Sequence, residues 1–464
     1  MNQTGEWNKA RKIIIGIVDV FLFIGSLLLS FYLKFGKNIP IVNFEAFQGS
    51  IIYVSLAFLV VNILVGTYIF YNKSISDFLF ITVIGQFVLS LVIMVLTFAG
   101  RWLTFPRSVI LINFFVGTII LFLWRAVVFK IYQRMSGSKR VLILGMEKDV
   151  FAAVDNFTNT KSIRHVVTHV VLSDYYENVS RHLDEIDIVY LASQIEESEK
   201  LKIYDLLTSK EKKMFLNTSF ENLIMVNPNM MNIEDESIIE VSAFRIPQED
   251  GLMKRTIDVI VAVLGIVVTS PIMAIAAILV KQSSEGPIFY KQTRITKDGK
   301  EFEILKFRSM GVTAEKESGP VLATSNDVRV TPVGKYLRSL RIDELPQLFN
   351  VLSGDMSLVG PRPERPFFVD QFKELNPHYY LRHNVRAGIT GYAQVYGKYA
   401  SDFNSKLNFD LIYIKKYSLV LDLKIMLQTV KILFDKVSSR GVDESERTVH
   451  SEQEIEARGI KVIY

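Results

Sequence analysis

The sequence predicts a membrane α-helical and α/β chain: four transmembrane helices, a Rossmann-like parallel α/β module, and a mixed, mainly helical monotopic domain on a re-entrant membrane helix. Three observations predict it. Four apolar runs long enough to span a bilayer fill the first 130 or so residues, short β-branched runs then alternate with helical stretches, and a fifth apolar run is interrupted by Ser-Pro before a soluble, arginine-rich remainder.

Composition fits. The 464 residues leave room for two or three domains, and 49% hydrophobic content is high for a wholly soluble chain. Absence of cysteine excludes disulfides and thiolate-bound metals, so the expected metal is a hard cation on carboxylate oxygen. A net charge of +5 suits an anionic membrane surface and is too diffuse for nucleic acid.

The apolar runs Ile13 to Tyr32, Ile51 to Phe70, Phe78 to Phe98 and Val109 to Phe129 define a four-helix domain over 12–132. The first is too long for a secretory signal and lacks a small-residue cleavage site. Lys9, Arg11, Lys12, Lys73, Lys130, Arg134, Lys139 and Arg140 outnumber the Lys34, Lys37, Arg101 and Arg107 of the opposite side, which places both ends of this domain in the cytoplasm.

Residues 139–246 carry the runs KRVLILG, HVVTHVV, IDIVYLAS and KKMFLNTS between helical or polar stretches, the pattern of a parallel sheet. Only Gly145 of a dinucleotide fingerprint is present, with Glu147 and Val150 at the second and third glycine positions, so the module reads as structural or regulatory.

The fifth run, 256–280, has Lys254, Arg255 and Asp258 at its start, Ser270 and Pro271 towards its middle and Lys281 at its end. Proline frees a carbonyl that serine can satisfy, so a break there lets the helix return to its side of entry, the alternative being a kinked crossing helix. Beyond it, a hairpin is expected around Asp298 and Gly299, a helix with a polar stripe of Lys424, Gln428, Lys431 and Asp435, and a polar tail over 441–464.

Within RIDELPQLFNVLSGDMSLVGPRPE two carboxylates, Asp343 and Glu344, stand side by side. One account is local: Asp343 caps a short helix, Glu344 occupies its first turn, and Leu345, Leu348 and Leu352 bury one face. The other is chemical. Lys306, Arg308, Arg338, Arg341 and Arg362 suit phosphate oxygens, two carboxylates suit a divalent ion, and a carboxylate so placed can attack phosphorus. A solvated, membrane-facing surface is the plain alternative for any single arginine.

The ordered signatures KRTID, TSP, GPIFYKQTR, KFRSM, LRSLRIDELPQLFNVLSGDMSLVGPRPE and ITGYAQVYG resemble those of the bacterial polyprenyl-phosphate hexose-1-phosphate transferases over residues 250–440, and residues 1–246 resemble the N-terminal extension of their larger members. The resemblance implies an inner-membrane enzyme with its catalytic domain on the cytoplasmic face. It would take hexose 1-phosphate from a UDP-sugar, UDP-glucose or UDP-galactose first, to undecaprenyl phosphate, release UMP and use Mg2+, as an early step of capsule or exopolysaccharide synthesis. It further implies Asp343 as nucleophile and metal ligand, Glu344 as its aid in metal binding or proton transfer, Arg338 and Arg362 on phosphate, Lys254, Arg255 and Asp258 as helix anchors, and Ser270 with Pro271 as the break. A homodimer is the expected assembly. Ala387 and Lys398 stand where the family usually has proline and arginine.

Two competing enzymes lack their residues: no tyrosine has lysine four positions on, as an epimerase or dehydratase needs, and no Asp-x-Asp is present for a metal-dependent glycosyltransferase. A membrane scaffold for polysaccharide export leaves the arginine–carboxylate cluster without a purpose.

Overall fold

The computed structural model describes residues 9–70, 73–102, 104–158, 165–311, 329–397, 402–433 and 452–464; Lys398, Asp435 and residues 441–451 fall outside them. The chain divides into two units, Met1–Asn217 with Ser445–Tyr464, and Thr218–Glu444. Among the described residues, five helices are long and apolar enough to cross a membrane, four in the first unit and one in the second.

Helices α1 (Lys9–Phe35), α2 (Ile41–Val65), α3 (Ile75–Ala99) and α4 (Arg107–Ser136) form the apolar part of the first unit. Ser74 starts α3 with a capping box, its hydroxyl accepting from Asp77 N while Asp77 accepts from Ser74 N. Phe23 and Phe58 stack 4.4 Å apart between α1 and α2. Each helix also supplies one polar group to a buried knot. Arg125 of α4 donates to Asp19 of α1 at 3.1 Å, to Asn62 of α2 at 2.7 Å and to Thr82 of α3 at 2.9 Å.

The α/β module is a parallel sheet in the order C-terminal strand, β2, β1, β3, β4, where β1 is Lys139–Leu144, β2 His165–Val171, β3 Ile188–Leu191 and β4 Lys213–Leu216. Gly145 ends β1 at φ +143°, and a Cβ there would lie 2.8 Å from Ser193 N, so the close approach demands glycine. Ser193 Oγ accepts from Met146 N at 2.8 Å and donates to Asp149 at 2.7 Å. The turn that cradles pyrophosphate in a dinucleotide fold is thus occupied by a serine and a carboxylate, and two acids, Glu147 and Asp149, sit in the first turn of the following helix.

Two boundaries differ from the sequence reading. Residues 452–464 form a helix (Glu452–Ala457) and a strand (Lys461–Ile463) that pairs parallel with β2, where a polar tail is expected. Ile455 and Ile460 are buried with Val141, Ile143 and Val170, an apolar payload that the surrounding charged residues hide from a composition argument. The module also ends at Asn217, not 246. Residues 218–246 belong to the second unit, where Phe220 stacks on His378 with centroids 3.6 Å apart, and Lys415 Nζ donates to Ile224 O (2.9 Å) and Ser242 O (2.5 Å).

In the second unit the fifth apolar helix, α9 (Gln248–Ser283), is helical through Pro271. Proline leaves Val267 O without its usual donor, and Ser270 Oγ donates to that carbonyl at 2.8 Å. Charged residues fasten the N-terminal part. Lys254 pairs with Asp422 at 2.5 Å, Arg255 donates to Val351 O (2.5 Å) and Leu352 O (2.9 Å), and Asp258 accepts from Leu358 N at 3.1 Å. The C-terminal part packs Met273, Ala276 and Val280 against Phe307 and Leu337. The same unit therefore lies along the helix from Lys254 to Val280, while Leu252, Ile260, Val267, Val268, Ile275 and Ile278 stay exposed.

The expected hairpin joins strands Phe289–Ile295 and Glu301–Phe307, its turn using positive φ at Asp298 (58°) and Gly299 (71°). A two-stranded parallel pair, Met356–Val359 with Ala387–Thr390, follows. A Cβ on Gly388 would meet Gly360 N at 2.1 Å, so this crossing tolerates no side chain. Ala387, in the place of proline, uses its N–H to donate to Thr296 Oγ1 at 3.2 Å.

Lys254 and Asp422 are both buried, so removing one strands the other's charge. Lys254→Met is expected to cost about 3 kcal/mol, seen as a lower Tm in detergent. Lys254→Met with Asp422→Leu should recover much of that loss, and equal losses in both proteins would show that the pair's charge is immaterial.

Candidate active site

The site is built on three neighbouring segments of the second unit. The strand Glu301–Phe307 presents Lys306; the helix Pro332–Ser339, begun by the Thr331 cap on Gly334 N, presents Arg338; and a 3-10 turn, Ile342–Glu344, carries the two acids before the helix Gln347–Ser353. Arg341 enters that turn in the left-handed region (φ 52°), a conformation rare for a β-carbon-bearing residue. Asn350 ties the segments together: its side chain accepts from Leu305 N (2.9 Å) and donates to Glu303 O (2.8 Å), which holds the strand bearing Lys306 against the helix after the acids.

The two carboxylates are treated differently. Glu344 accepts from Lys306 Nζ at 3.0 Å and lies 3.6 Å from both Arg341 Nη1 and Arg362 Nη2. Burial alone would raise its pKa, but Lys306, Arg362 and Arg341 together hold the carboxyl far below the ordinary range. Asp343 is 8% exposed and, among the described residues, takes no hydrogen bond. Burial and the neighbouring Glu344 push its pKa up to about 6, against the opposing pull of Lys306, Arg338 and Arg341. Asp343 makes no cap, because the helix that follows starts at Pro346 without a side-chain bond. The local, structural account of this acid therefore lacks the hydrogen bond on which it depends, although Leu345, Leu348 and Leu352 do pack inward as it requires.

Arg338 Nε donates to Ser309 Oγ at 2.9 Å, and its charge acts on Asp343. Arg362 is half exposed between Pro361 and Pro363. Two further arginines fix its loop: Arg382 Nη2 donates to Arg362 O (2.9 Å) and pairs with buried Asp410 (2.8 Å), and Arg294 Nη1 donates to Pro363 O (3.1 Å). Arg308 differs from the sequence assignment. Its guanidinium is buried and donates to Ser284 O (2.8 Å) and Glu285 O, so it closes the C-terminal end of α9 in place of facing a phosphate.

Lys306, Arg338, Asp343, Glu344 and Arg362 are thus brought together, while Lys254, Arg255 and Asp258 serve α9. Arg294, Ser309, Asn350, Arg382 and Asp410 escape the sequence reading. Arg294 lies within GPIFYKQTR, Ser309 within KFRSM and Asn350 within the segment of the acids, but their residue types signal no role there, and Arg382 and Asp410 lie outside every quoted signature.

A matching domain model, described as bacterial sugar transferase, covers residues 249–436. A UDP-N-acetylgalactosamine-undecaprenyl-phosphate N-acetylgalactosaminephosphotransferase from Aeromonas hydrophila is 47% identical over 193 residues, 41% of this chain and 45% of the relative. A UDP-glucose:undecaprenyl-phosphate glucose-1-phosphate transferase from Klebsiella pneumoniae is 45% identical over 39% of each chain. One of the same description from Caulobacter vibrioides is 43% identical over 39% of this chain and 70% of the relative. The chain belongs to the bacterial sugar transferase family. It spans less than half the length of the Aeromonas and Klebsiella relatives.

Because the folded-state pKa of Asp343 is raised, its contribution to stability is complete below the unfolded value near 3.8 and is lost as pH climbs through about 6. Asp343→Asn should therefore raise Tm at pH 7.5 in chelator, by an amount equivalent to about 2–3 kcal/mol, with the gain gone at pH 4. A pH-independent difference would contradict the burial of a charge at this position.

Proposed function

We propose that the chain transfers hexose 1-phosphate from a UDP-sugar, UDP-glucose or UDP-galactose, to undecaprenyl phosphate, giving the undecaprenyl-diphospho-sugar and UMP, as the first membrane step of capsule or exopolysaccharide synthesis. The observation that carries the reading is the unpaired, buried carboxylate of Asp343 beside a fully neutralised Glu344.

In this reading Asp343 is the nucleophile. One carboxylate oxygen attacks the sugar-bearing phosphorus, the new oxygen–phosphorus bond forms as the bond to UMP breaks, and UMP leaves with the electron pair. The phosphate of undecaprenyl phosphate then attacks the same phosphorus and releases the Asp343 carboxylate. Arg362 and Arg338 take up the diphosphate charge, with two parallel donors each. Glu344 orders Lys306, Arg341 and Arg362 so that cations surround the reaction without pairing directly with the nucleophile.

The donor set fits Mg2+. A magnesium ion keeps most of its water and binds through one or two carboxylates plus substrate phosphate, and Asp343 offers an oxygen with no competing bond. When bound, the ion would neutralise diphosphate charge; Asp343 would hold it, whereas Glu344 is committed to three cations.

The relatives named for glucose and for N-acetylgalactosamine match this chain to similar extents, so the hexose choice rests on the resemblance and is settled by a donor panel. In this reading the first four apolar helices cross the inner membrane, the helix Gln248–Ser283 re-enters on its side of entry, the chemistry lies on the cytoplasmic face, and the assembly is a homodimer. Contacts from one unit at both ends of the apolar helix, Lys254 with Asp422 and Val280 with Phe307 and Leu337, support re-entry, because both ends then lie on the same soluble body.

The purified protein with Mg2+ and undecaprenyl phosphate should release UMP from one of a panel of UDP-sugars, and Asp343→Asn should abolish release; a mutant of full activity would remove Asp343 as nucleophile. Arg362→Ala and Glu344→Gln should each lower kcat/KM by about 10²-fold or more. At limiting Mg2+ the acid limb of kcat/KM should fall tenfold per pH unit below about 6. The topology has its own readout. Leu252→Cys and Glu285→Cys, in a chain without natural cysteine, should both be shielded from an impermeant thiol reagent in spheroplasts, and labelling of one alone would establish a crossing helix.

A further inference from the structure

The α/β module gathers three metal-ligating side chains that the proposed chemistry does not use. His169 lies on β2, His182 just after the helix Tyr175–Arg181, and Glu185 in the 3-10 turn Leu183–Glu185. One ligand atom from each lies within 4.8 Å of the others. Glu185 Oε2 is 3.1 Å from His169 Nε2 and 3.7 Å from His182 Nδ1, and the two rings stand 4.8 Å apart.

Thr168 Oγ1 lies 2.9 Å from His169 Nδ1 and holds the ring so that Nε2 is aimed at the Glu185 carboxylate. Both His169 Nε2 and His182 Nδ1 are buried without a hydrogen-bond partner. A proton can join the Glu185 carboxylate to only one of the two imidazole nitrogens, at 3.1 Å or at 3.7 Å, whereas a metal ion serves both nitrogens and the carboxylate together.

We propose that His169, His182 and Glu185 form a transition-metal site that takes Zn2+, with two imidazoles, one carboxylate and an open position for water or a ligand. Zinc bond lengths of about 2.0–2.1 Å in a tetrahedron put neighbouring ligand atoms about 3.3 Å apart, between the two distances to Glu185. The bond from His169 Nδ1 to Thr168 is the outer-shell contact that orients metal-binding histidines. Such a site departs from the hard cation on oxygen that the lack of cysteine suggests, since imidazole is the softer donor.

Lys461 ties the site to the C-terminal strand. It pairs in register with His169, and its Nζ lies 3.6 Å from Glu185 Oε2. Ammonium and metal compete for that oxygen, so metal binding at this site acts on the strand at the edge of the sheet.

The test uses the full chain in detergent, purified without a histidine tag, stripped with chelator and kept in excess Mg2+ so that carboxylate sites are filled. Zn2+ titrated against a chromophoric chelator should bind once per chain, and Co2+ should give the visible absorption of a four-coordinate site. His182→Ala and Glu185→Gln should each weaken Zn2+ binding at least about tenfold, since even loss of an outer-shell partner costs that much. Lys461→Met should tighten it about threefold, the scale of an exposed ion pair. No stoichiometric Zn2+, or binding unchanged in the His182→Ala/Glu185→Gln protein, would overturn the site. Should His182→Ala unfold by circular dichroism, the exposed Glu185→Gln change and the wild-type Co2+ spectrum decide.

Discussion

The second unit is organised around an unequal pair of adjacent acids. Asp343 and Glu344 repel each other, and burial penalises both charges, so the pair persists only because cations are supplied to one member. Lys306, Arg341 and Arg362 converge on Glu344, and Asp343 is left with the electrostatic pull of Lys306, Arg338 and Arg341 at longer range. One carboxylate thereby becomes a permanent anion that positions three basic groups. The other remains poised near neutral pH, a division of roles that environment alone imposes on two similar side chains.

Backbone geometry makes the inequality possible. Arg341 in the left-handed region turns the chain sharply before the acids, Pro346 starts the next helix, and Asn350 locks that helix to the strand carrying Lys306. Arg382 and Arg294 do similar work on the other side, binding the carbonyls of Arg362 and Pro363 so that one half-exposed guanidinium stays beside Glu344. The charged groups thus divide into those that meet the acids and those that hold the loops, and Arg308 belongs to the second class.

Much of this was legible in the sequence and some was not, for physical reasons. Apolar runs reveal long helices because hydrocarbon demands length, so the helices near Lys9–Phe35 to Arg107–Ser136 and Gln248–Ser283 are readable from hydropathy. The acids and the Pro-Arg-Pro loop stand out because such residues are costly to place without purpose. The sequence assigns Arg308 to a phosphate while the fold sets its guanidinium on helix-end carbonyls; a guanidinium serves either equally well, and sequence spacing does not say which lies nearer. The C-terminal strand was missed because three apolar residues after a charged stretch carry almost no periodic signal, and its stability comes from pairing with β2, a partner nearly 300 residues away.

The helix Gln248–Ser283 shows how an apolar segment acquires a unique placement. Leucine, isoleucine and valine are as content in lipid as against protein, so burial of its outward side chains specifies nothing about rotation or depth. Its polar groups specify both. Lys254 pairs with Asp422, Asp258 accepts from the amide of Leu358, and Arg255 meets the carbonyls that end the helix behind the acids. Ser270, by occupying Val267 O, lets proline enter without leaving a bare carbonyl in an apolar setting. Arg125 solves the same problem in the first unit, where one guanidinium meets a polar group from each of three other helices. Such buried charges add little net stability once desolvation is counted, but every misaligned arrangement leaves one of them unpaired. Because Arg255 binds the carbonyls of Val351 and Leu352 at the end of the helix that follows the acids, the placement of the membrane helix and the placement of Asp343 are one constraint.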